Sequence, residues 1–356
     1  MKRLLGIVAV LLLLAVAVAG ALAFVAWRRI ETFRETPYGG PEERVAVVPP
    51  GASGRAVVRV LAQAGALADE ETAWRYLRFV ERDPRPFKAG EYAFAGPLTP
   101  DQVFLRVRRG EVKLYRFTVP EGLRLDEVAP IVERSGLAQA AAFLEAARDP
   151  ALARALGLPY PTLEGFLFPD TYAFARGVTA RGIAEGMVAR FKDEWAKAEA
   201  ARAPGVTLAL GPAVTLASIV EKETGRPEER PRIACVFHNR LRLGMRLQTD
   251  PTVMYATMLR TGRWSRNITK ADLAAVHPYN TYTTAGLPPG PIASPGAAAL
   301  AATLAPAACD DLFFVSRNDG THVFCPDLAC HAAAVRTWQV EYFRKPASGR
   351  APRPAR

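Results

Sequence analysis

A continuous apolar stretch near the N-terminus most constrains how this chain can fold. Residues Leu4–Trp27 carry no charged side chain and consist largely of Leu, Val and Ala. At about 1.5 Å of rise per helical residue, the stretch is long enough to cross a hydrocarbon core of about 30 Å. We therefore predict a transmembrane helix over residues 4–27.

The flanks of this stretch bear on its orientation. Lys2 and Arg3 precede it and favour a cytoplasmic stub, residues 1–3, with the remainder of the chain on the outer side. The alternative is a cleaved signal peptide, because Ala17–Ala19 and Ala21–Ala23 would suit a cleavage site of small residues. The continuation of the apolar run to a tryptophan, a residue typical of membrane interfaces, favours a retained anchor.

Length and charge limit the remaining possibilities. The chain has 356 residues, of which 50% are hydrophobic, enough for about two domains with a sizeable core. Its formal net charge of +11 comes mostly from scattered arginines, not from one dense basic run. This pattern favours an anionic membrane surface or wall polymer, and it predicts no nucleic-acid partner.

Two segments of the chain share the same sequence pattern with an offset of 71 residues, which we call the internal echo. Val48–Gly51 and Val119–Gly122 are both Pro/Gly turns, and each leads into an apolar helical pattern that ends at Gly65 or Gly136. Each copy predicts a strand, a turn and an amphipathic helix. The echo therefore indicates two small α/β units.

These patterns together predict an α+β fold. We expect a transmembrane helix (4–27), a juxtamembrane linker (28–43), a small α/β module (44–115), a larger, mainly helical α+β domain (116–344) and a disordered basic tail (345–356). Within the larger domain, we expect residues 246–295 to form an irregular run, because Asp, Pro, Thr, Asn and Tyr dominate it. Long loops in compact domains are usually functional.

The segment Val214–Thr224 predicts a helix whose apolar face ends in an acid. The residues that share this face are Leu216, Ile219, Val220 and Glu223. A carboxyl on such a face loses water, which raises its pKa above about 4.3 and suits it to hold a proton as a general acid. Glu221 falls on a different face, which we expect to be wetter. The alternative interpretation is a pair of solvated glutamates near a helix end.

Cysteine and histidine residues are confined to the second half of the chain. The cysteines are Cys235, Cys309, Cys325 and Cys330, and an oxidising compartment would permit a disulfide among them, although the sequence specifies no pairing. The spacing of His322, Cys325, Cys330 and His331 matches no standard zinc pattern. We therefore predict no metal site and no cofactor.

Several stretches of the sequence are rich in carboxylates, amides, hydroxyls and aromatic rings, which are the groups typical of a carbohydrate-binding site. Four of them, EGFLFPDTY (164–172), SIVEKET (218–224), HNRLRLGMRLQTDPTVMY (238–255) and YNTYTTAGLPPGPIASPG (279–296), carry a specific resemblance. The chain resembles the endolytic murein transglycosylase family, also known as YceG-like or MltG proteins. The resemblance covers the apolar helix and about residues 45 to 343.

The resemblance implies a lytic transglycosylase of the bacterial inner membrane that acts in the periplasm on nascent peptidoglycan. It implies cleavage between N-acetylmuramic acid and N-acetylglucosamine that leaves 1,6-anhydromuramyl ends. It also implies a LysM-like module ahead of the catalytic domain, for which residues 44–115 are the natural place. Peptidoglycan, the inner membrane and peptidoglycan synthases are the partners expected on this basis.

The resemblance places the family's essential glutamate within residues 221–224. We assign the acid to Glu223, with Glu221 as the fallback. The candidates for contact with the glycan are Thr224, Gln248, Asp250, Tyr279, Asn280, Thr281 and Tyr282. For each of these, hydrogen bonding within a Pro-rich loop is the alternative role. The alternative function is a membrane-anchored, non-catalytic scaffold that binds peptidoglycan.

Overall fold

The computed structural model describes residues 2–265 and 267–344; the tail predicted at 345–356 lies outside the described residues. The predicted mixture of helices and strands is confirmed. The helices are α1 (Lys2–Glu35), α2 (Gly54–Gln63), α3 (Glu70–Phe79), α4 (Pro100–Arg109), α5 (Leu125–Arg134), α6 (Ala140–Ala147), α7 (Pro150–Ala155), α8 (Ala180–Ala200), α9 (Leu210–Glu223), α10 (Arg230–Arg242), α11 (Asp250–Thr261), α12 (Lys270–Ala274), α13 (Ala297–Leu304), α14 (Leu328–Val335) and α15 (Tyr342–Arg344). The strands are β1 (Arg44–Val48), β2 (Gly90–Phe94), β3 (Leu114–Thr118), β4 (Thr171–Ala175), β5 (Phe313–Ser316) and β6 (His322–Cys325).

Helix α1 is long and apolar enough to cross a membrane by length and composition. It continues through residues 28–35, which the sequence analysis assigned to a linker. Two features explain the extension. Arg28 pairs with Glu31 one turn later at 3.3 Å, and Ile30 and Phe33 pack against a buried apolar cluster. Contacts of this kind stabilise a helix beyond its intrinsic propensity.

The chain divides into two compact units. The first extends through Tyr115 and includes Ala175–Gly177; the second contains Arg116–Phe174 and the described residues from Val178 onward. In the first unit, β1 pairs antiparallel with β2, so that Val48 lies opposite Gly90. Helices α2 and α3 lie between these strands in the chain, and their apolar faces share one core with the strands and with α4.

The internal echo is confirmed as a repeated local structure. Helices α2 and α5 begin and end at positions that differ by 71 residues, and each follows a strand and a Pro/Gly turn. Gly51 and Gly122, in the two turns, adopt φ values of +70° and +73°. Gly65 and Gly136, after the two helices, both adopt +73°. Glycine reaches this left-handed region without the steric cost that a Cβ atom imposes.

Helix α9 lies at the centre of the second unit. All of its residues from Ala213 to Glu221 are buried, and α10, α11 and α13 pack around it. A helix that is apolar on every side is a buried helix. Its C-terminal end, where Glu223 lies, is therefore supported on several faces.

The expectation of an irregular run over residues 246–295 is wrong in part, because the run contains α11 and α12. Pro251 occupies the first turn of α11, where a missing N–H costs no intrahelical hydrogen bond. Val253 and Tyr255 then bury their side chains against the core. Tertiary burial thus stabilises a helix that the local composition did not predict.

We expect Gly136→Ala to lower the free energy of unfolding by about 1 kcal/mol, because a Cβ at φ +73° is strained even though no atom lies within 4 Å of it. Gly65→Ala, at the equivalent position of the first unit, should have a cost of the same size. Thermal unfolding of the full-length protein in detergent measures both. Gly40→Ala is the control, since this glycine has neither a positive φ nor a close neighbour. Equal stability of all three variants would contradict the strain argument.

Candidate active site

A cavity of about 420 Å³ lies in the second unit beside the C-terminal end of α9. We call it the Glu223 cavity. It is lined by residues from α9, α10, α11, β5, α14 and the loops between them: Glu223, Arg240, Leu247, Gln248, Asp250, Tyr282, Phe313, Phe314, Leu328 and His331. Four of these, Glu223, Gln248, Asp250 and Tyr282, are among the residues predicted from sequence.

Glu223 is the last residue of α9, and its side chain is partly exposed to the cavity. Burial raises the pKa of this carboxyl from 4.5 to about 7, because the surrounding protein solvates the charged form poorly. A carboxyl with this pKa keeps its proton for a substantial fraction of the time near neutral pH. It therefore has the property that general acid catalysis requires.

Three neighbours adjust the protonation of Glu223. The hydroxyl of Thr249 donates a hydrogen bond to its Oε1 and lowers the pKa, and the positive charge of Arg240 acts in the same direction. The negative charge of Asp250 opposes them and raises it. Desolvation is the largest effect and, together with Asp250, it outweighs the lowering by Thr249 and Arg240, so that the net shift in the pKa of Glu223 is upward.

Arg240 is fixed by the backbone around it. Its Nε donates to the carbonyl of Leu312 at 2.6 Å, and its Nη1 donates to the carbonyl of Leu247 at 2.7 Å. The side chain is buried, at 7% exposure. These bonds hold the guanidinium at the cavity, where it attracts the carboxylate form of Glu223.

Thr249 is held by a small network of hydroxyl groups. Its backbone N–H donates to Oγ1 of Thr281 at 3.1 Å, and the hydroxyls of Thr281 and Thr252 are 2.8 Å apart. Thr252 also donates to the carbonyl of Thr249 at 2.7 Å. Thr249 was not among the residues predicted from sequence, although its place directly before a helix-opening Asp-Pro pair marks it as a capping position.

Asp250 and Tyr282 contact each other at the cavity. The phenol of Tyr282 donates to Oδ1 of Asp250 at 2.7 Å, and Arg246 donates to the Tyr282 carbonyl at 3.2 Å. Burial raises the pKa of the Tyr282 phenol, so it remains a hydrogen-bond donor near neutral pH. Gln248, next to Thr249, has a φ of +50°, which is uncommon for a residue with a side chain.

The other four predicted glycan contacts, Thr224, Tyr279, Asn280 and Thr281, do not line the Glu223 cavity. Asn280 is only 1% exposed, and its side chain donates to the carbonyls of Asp272, Leu273 and Ala275. Thr224 donates to Glu229 at 3.4 Å, and the Tyr279 ring lies 4.9 Å from that of Tyr255. Their contacts in the structure are those of a hydrogen-bonded loop and its supporting core.

Glu221 lies in a different environment from the one expected. The expectation of a wetter face is wrong, since its side chain is only 5% exposed and lies on the buried interior of α9. Arg230 donates to Oε1 at 2.7 Å, and the N–H of Gly296 donates to Oε2 at 3.0 Å. Burial raises the pKa of Glu221, while these two donors favour its ionised form. With both oxygens occupied, Glu221 braces α9 and does not face the cavity.

Glu164 is a second strongly perturbed acid that the sequence analysis did not single out. Burial raises the pKa of this carboxyl to about 8. The N–H of Leu125 lies 3.3 Å from one of its oxygens, and the phenol of Tyr255 lies 3.3 Å from the other. It does not line the Glu223 cavity and lies instead in the core that supports α11.

The four cysteines form two disulfides, Cys235–Cys309 and Cys325–Cys330. The sequence left this pairing open. Because their sulfurs are joined, the cysteines near His322 and His331 do not provide thiolate ligands. Within residues 2–265 and 267–344, the structure contains no group of three or more His, Cys, Asp or Glu side chains that could hold a metal ion.

Comparison with known proteins relates this architecture to characterised sequences. An endolytic murein transglycosylase of Bacillus subtilis is 28% identical over 310 residues, which cover 81% of this chain and 82% of that protein. The protein of the same name from Streptococcus pneumoniae D39 is 30% identical over 260 residues, covering 64% of this chain. The matched region spans only 46% of the length of the pneumococcal protein.

A solved structure agrees with these sequence matches. The crystal structure of a YceG-like protein from Listeria monocytogenes superposes with a TM-score of 0.52 at 30% identity, covering 82% of this chain and 98% of that one. The sequence profile of the YceG-like family matches residues 46–337, which include most of both units and every residue that lines the Glu223 cavity. The chain therefore belongs to the YceG-like family.

Proposed function

We propose that this protein is an endolytic murein transglycosylase. It cleaves the β-1,4 bond between N-acetylmuramic acid and N-acetylglucosamine in nascent peptidoglycan, leaves 1,6-anhydromuramyl ends and thereby terminates glycan strands. Family membership supports the reaction class. The observation that carries the assignment to this site is Glu223, a carboxyl with a raised pKa at a cavity lined by polar and aromatic side chains.

The proposed reaction needs one carboxyl group in two protonation states. Protonated Glu223 donates its proton to the glycosidic oxygen as the bond to the anomeric carbon breaks. The resulting carboxylate then accepts the proton of the C6 hydroxyl of the muramyl sugar, whose oxygen attacks the anomeric carbon. The proton returns to Glu223, no water is consumed, and the sugar closes into its anhydro form.

The neighbours of Glu223 suit both states. Thr249 and Arg240 stabilise the carboxylate that exists between the two proton transfers, and Asp250 favours the protonated form in which the cycle starts. Tyr282, Gln248 and Asp250 offer hydroxyl, amide and carboxylate groups to the glycan. Of the residues proposed from sequence, these are the ones whose placement supports substrate contact.

We also propose the cellular arrangement of the protein. Helix α1 anchors it in the inner membrane, its N-terminus is cytoplasmic, and both units lie in the periplasm. The first unit, with two helices between antiparallel strands, is a LysM-like module that binds glycan. The second unit is the catalytic domain. Peptidoglycan synthases are proposed partners, since the substrate is the strand that they extend.

Replacing Glu223 should abolish turnover without unfolding the protein. In Glu223→Gln the amide cannot supply a proton, so we expect release of anhydro-muropeptides to fall by at least about a hundredfold, with the melting temperature preserved. Glu221→Gln is the matched comparison: it weakens a buried ion pair, so it should lower the melting temperature while the folded protein keeps measurable activity. If Glu223→Gln releases anhydro-muropeptides at the rate of the unsubstituted protein, Glu223 is not the acid.

The rate should fall as pH rises through about 7, because Glu223 must begin the cycle protonated and its pKa lies near that value. Asp250→Asn removes a charge that favours the protonated form, so the alkaline limb should move to lower pH. Asp193→Asn, at an exposed position of α8, should leave the limb unchanged. Rates of product release measured from pH 5 to 9 test both expectations. If the alkaline limb stays at the same pH in Asp250→Asn, the charge of Asp250 does not control the protonation of Glu223.

Product masses separate the proposed enzyme from its alternatives. In water labelled with heavy oxygen, a transglycosylase releases unlabelled anhydro ends, whereas a hydrolase incorporates the label in a reducing end. A non-catalytic scaffold would bind isolated peptidoglycan and release nothing. Labelled reducing ends, or binding without release, would overturn the proposed function.

A further inference from the structure

One wall of the Glu223 cavity is formed by Phe313, Leu328 and His331, which we call the aromatic wall. The rings of Phe313 and His331 stack, with centroids 4.9 Å apart and an interplanar angle of 28°. The guanidinium of Arg240 lies 5.1 Å from the centroid of the Phe313 ring. Arg240 also acts electrostatically on Glu223, so the same guanidinium influences both the acid and this wall.

The Cys325–Cys330 disulfide braces the aromatic wall. Cys325 ends β6 and lies directly opposite Phe313 in the antiparallel pairing with β5. Cys330 lies in the first turn of α14, immediately before His331. The disulfide therefore ties the backbone that carries His331 to the backbone that carries Phe313. Asp327 adds a cap, since it accepts a hydrogen bond from the N–H of Cys330 at 2.8 Å.

The wall combines aromatic rings with an exposed apolar side chain next to the proposed reaction site. Among the described residues, Nδ1 of His331 is buried and has no hydrogen-bond partner, which is costly unless another role compensates. Burial and the charge of Arg240 lower the pKa of His331, which favours the neutral form of its ring. Leu328, in the same wall, is 66% exposed. Aromatic rings and exposed apolar side chains are the surfaces on which the apolar faces of sugars pack.

We propose that the aromatic wall is the specificity surface of the cleft: it packs against a pyranose ring of an N-acetylated amino sugar beside the bond that is cleaved, and the Cys325–Cys330 disulfide sets its position. This inference rests on the proposed function and extends it to residues outside the four sequence segments that indicated the family. The wall contacts substrate and positions it, whereas proton transfer remains with Glu223.

Binding to the inactive protein tests the wall without turnover. The probe is soluble, uncross-linked glycan strands, titrated into full-length Glu223→Gln protein in detergent and followed by calorimetry. Adding His331→Ala should weaken binding about three- to tenfold, the range expected for the loss of an aromatic contact. His331→Phe retains a planar ring and should keep most of the affinity. In the otherwise native enzyme, His331→Ala should raise KM by a similar factor and change kcat little.

A second disulfide in the same unit provides a matched control. Cys325→Ser with Cys330→Ser should weaken glycan binding and raise KM, because α14 is released from β6. Cys235→Ser with Cys309→Ser removes a disulfide whose residues do not line the cavity, and it should leave both values unchanged. Melting temperatures of all variants identify any loss of folded protein.

The possible outcomes separate the two proposals. If Glu223→Gln binds glycan and neither His331→Ala nor the Cys325/Cys330 double variant changes affinity or KM, the aromatic wall is rejected while the proposed function stands. If the unsubstituted protein releases no anhydro ends and Glu223→Gln binds no glycan, both are rejected. Equal effects from the two disulfide variants would reject the positioning role of Cys325–Cys330.

Discussion

The loss of water around one carboxyl group underlies the chemistry proposed here. Helix α9 is buried on every side for most of its length, and it ends at Glu223, where the structure opens into a cavity. A glutamate one turn earlier, at the position of Ile219 or Val220, would be fully enclosed. At the end of a buried helix, a carboxyl is desolvated and still reaches the cavity. Desolvation raises the pKa of Glu223 to about 7.

The end of α9 is held in place by one copy of the internal repeat. In the second copy, the turn at Gly122 accepts a hydrogen bond from Lys222 at 3.0 Å and donates one to the carbonyl of Ser294 at 2.9 Å. Glu121, in the same turn, pairs with Arg230, which also binds Glu221. In the first copy, the equivalent turn at Gly51 is exposed. The turn of the repeat is thus exposed in the first unit, whereas in the second unit the equivalent turn supports the end of α9.

The parts of the fold that depend on local periodicity could be predicted from the sequence. The repeat with its glycines, the apolar helix α1 and the apolar face that ends in Glu223 all follow from short-range patterns. The dry environment of Glu221 could not be predicted, because it depends on Arg230 and Gly296, which approach from other parts of the chain. Helix α11 was missed for a similar reason: its Asp-Pro opening resembles a turn, and burial of residues such as Val253 decides in favour of a helix.

The candidate site was predicted in part, and the division has a physical basis. Polar side chains in a Pro-rich loop can either bind substrate or form hydrogen bonds with the backbone, and the sequence does not distinguish these two roles. Asn280 donates to three carbonyls at the end of α12 and directly after it, whereas Tyr282, two residues later, donates to Asp250 at the cavity. Arg240, Phe313 and His331 come from three separate elements, so only the folded chain brings them together.

The two acids at the cavity have contrasting environments, and that contrast explains how one carboxyl can perform the reaction. Asp250 opens α11, where the positive end of the helix dipole favours a negative charge, and it accepts a hydrogen bond from Tyr282. Glu223 lies at the opposite end of its own helix, where the dipole disfavours a carboxylate, and it is desolvated as well. A desolvated carboxyl at the C-terminal end of a helix is suited to hold a proton and to donate it. In the proposed mechanism, the charge of Asp250 helps to keep the proton on Glu223 until a glycosidic oxygen accepts it. The C6 hydroxyl of the substrate then takes the place of a water that a second catalytic base would otherwise have to activate.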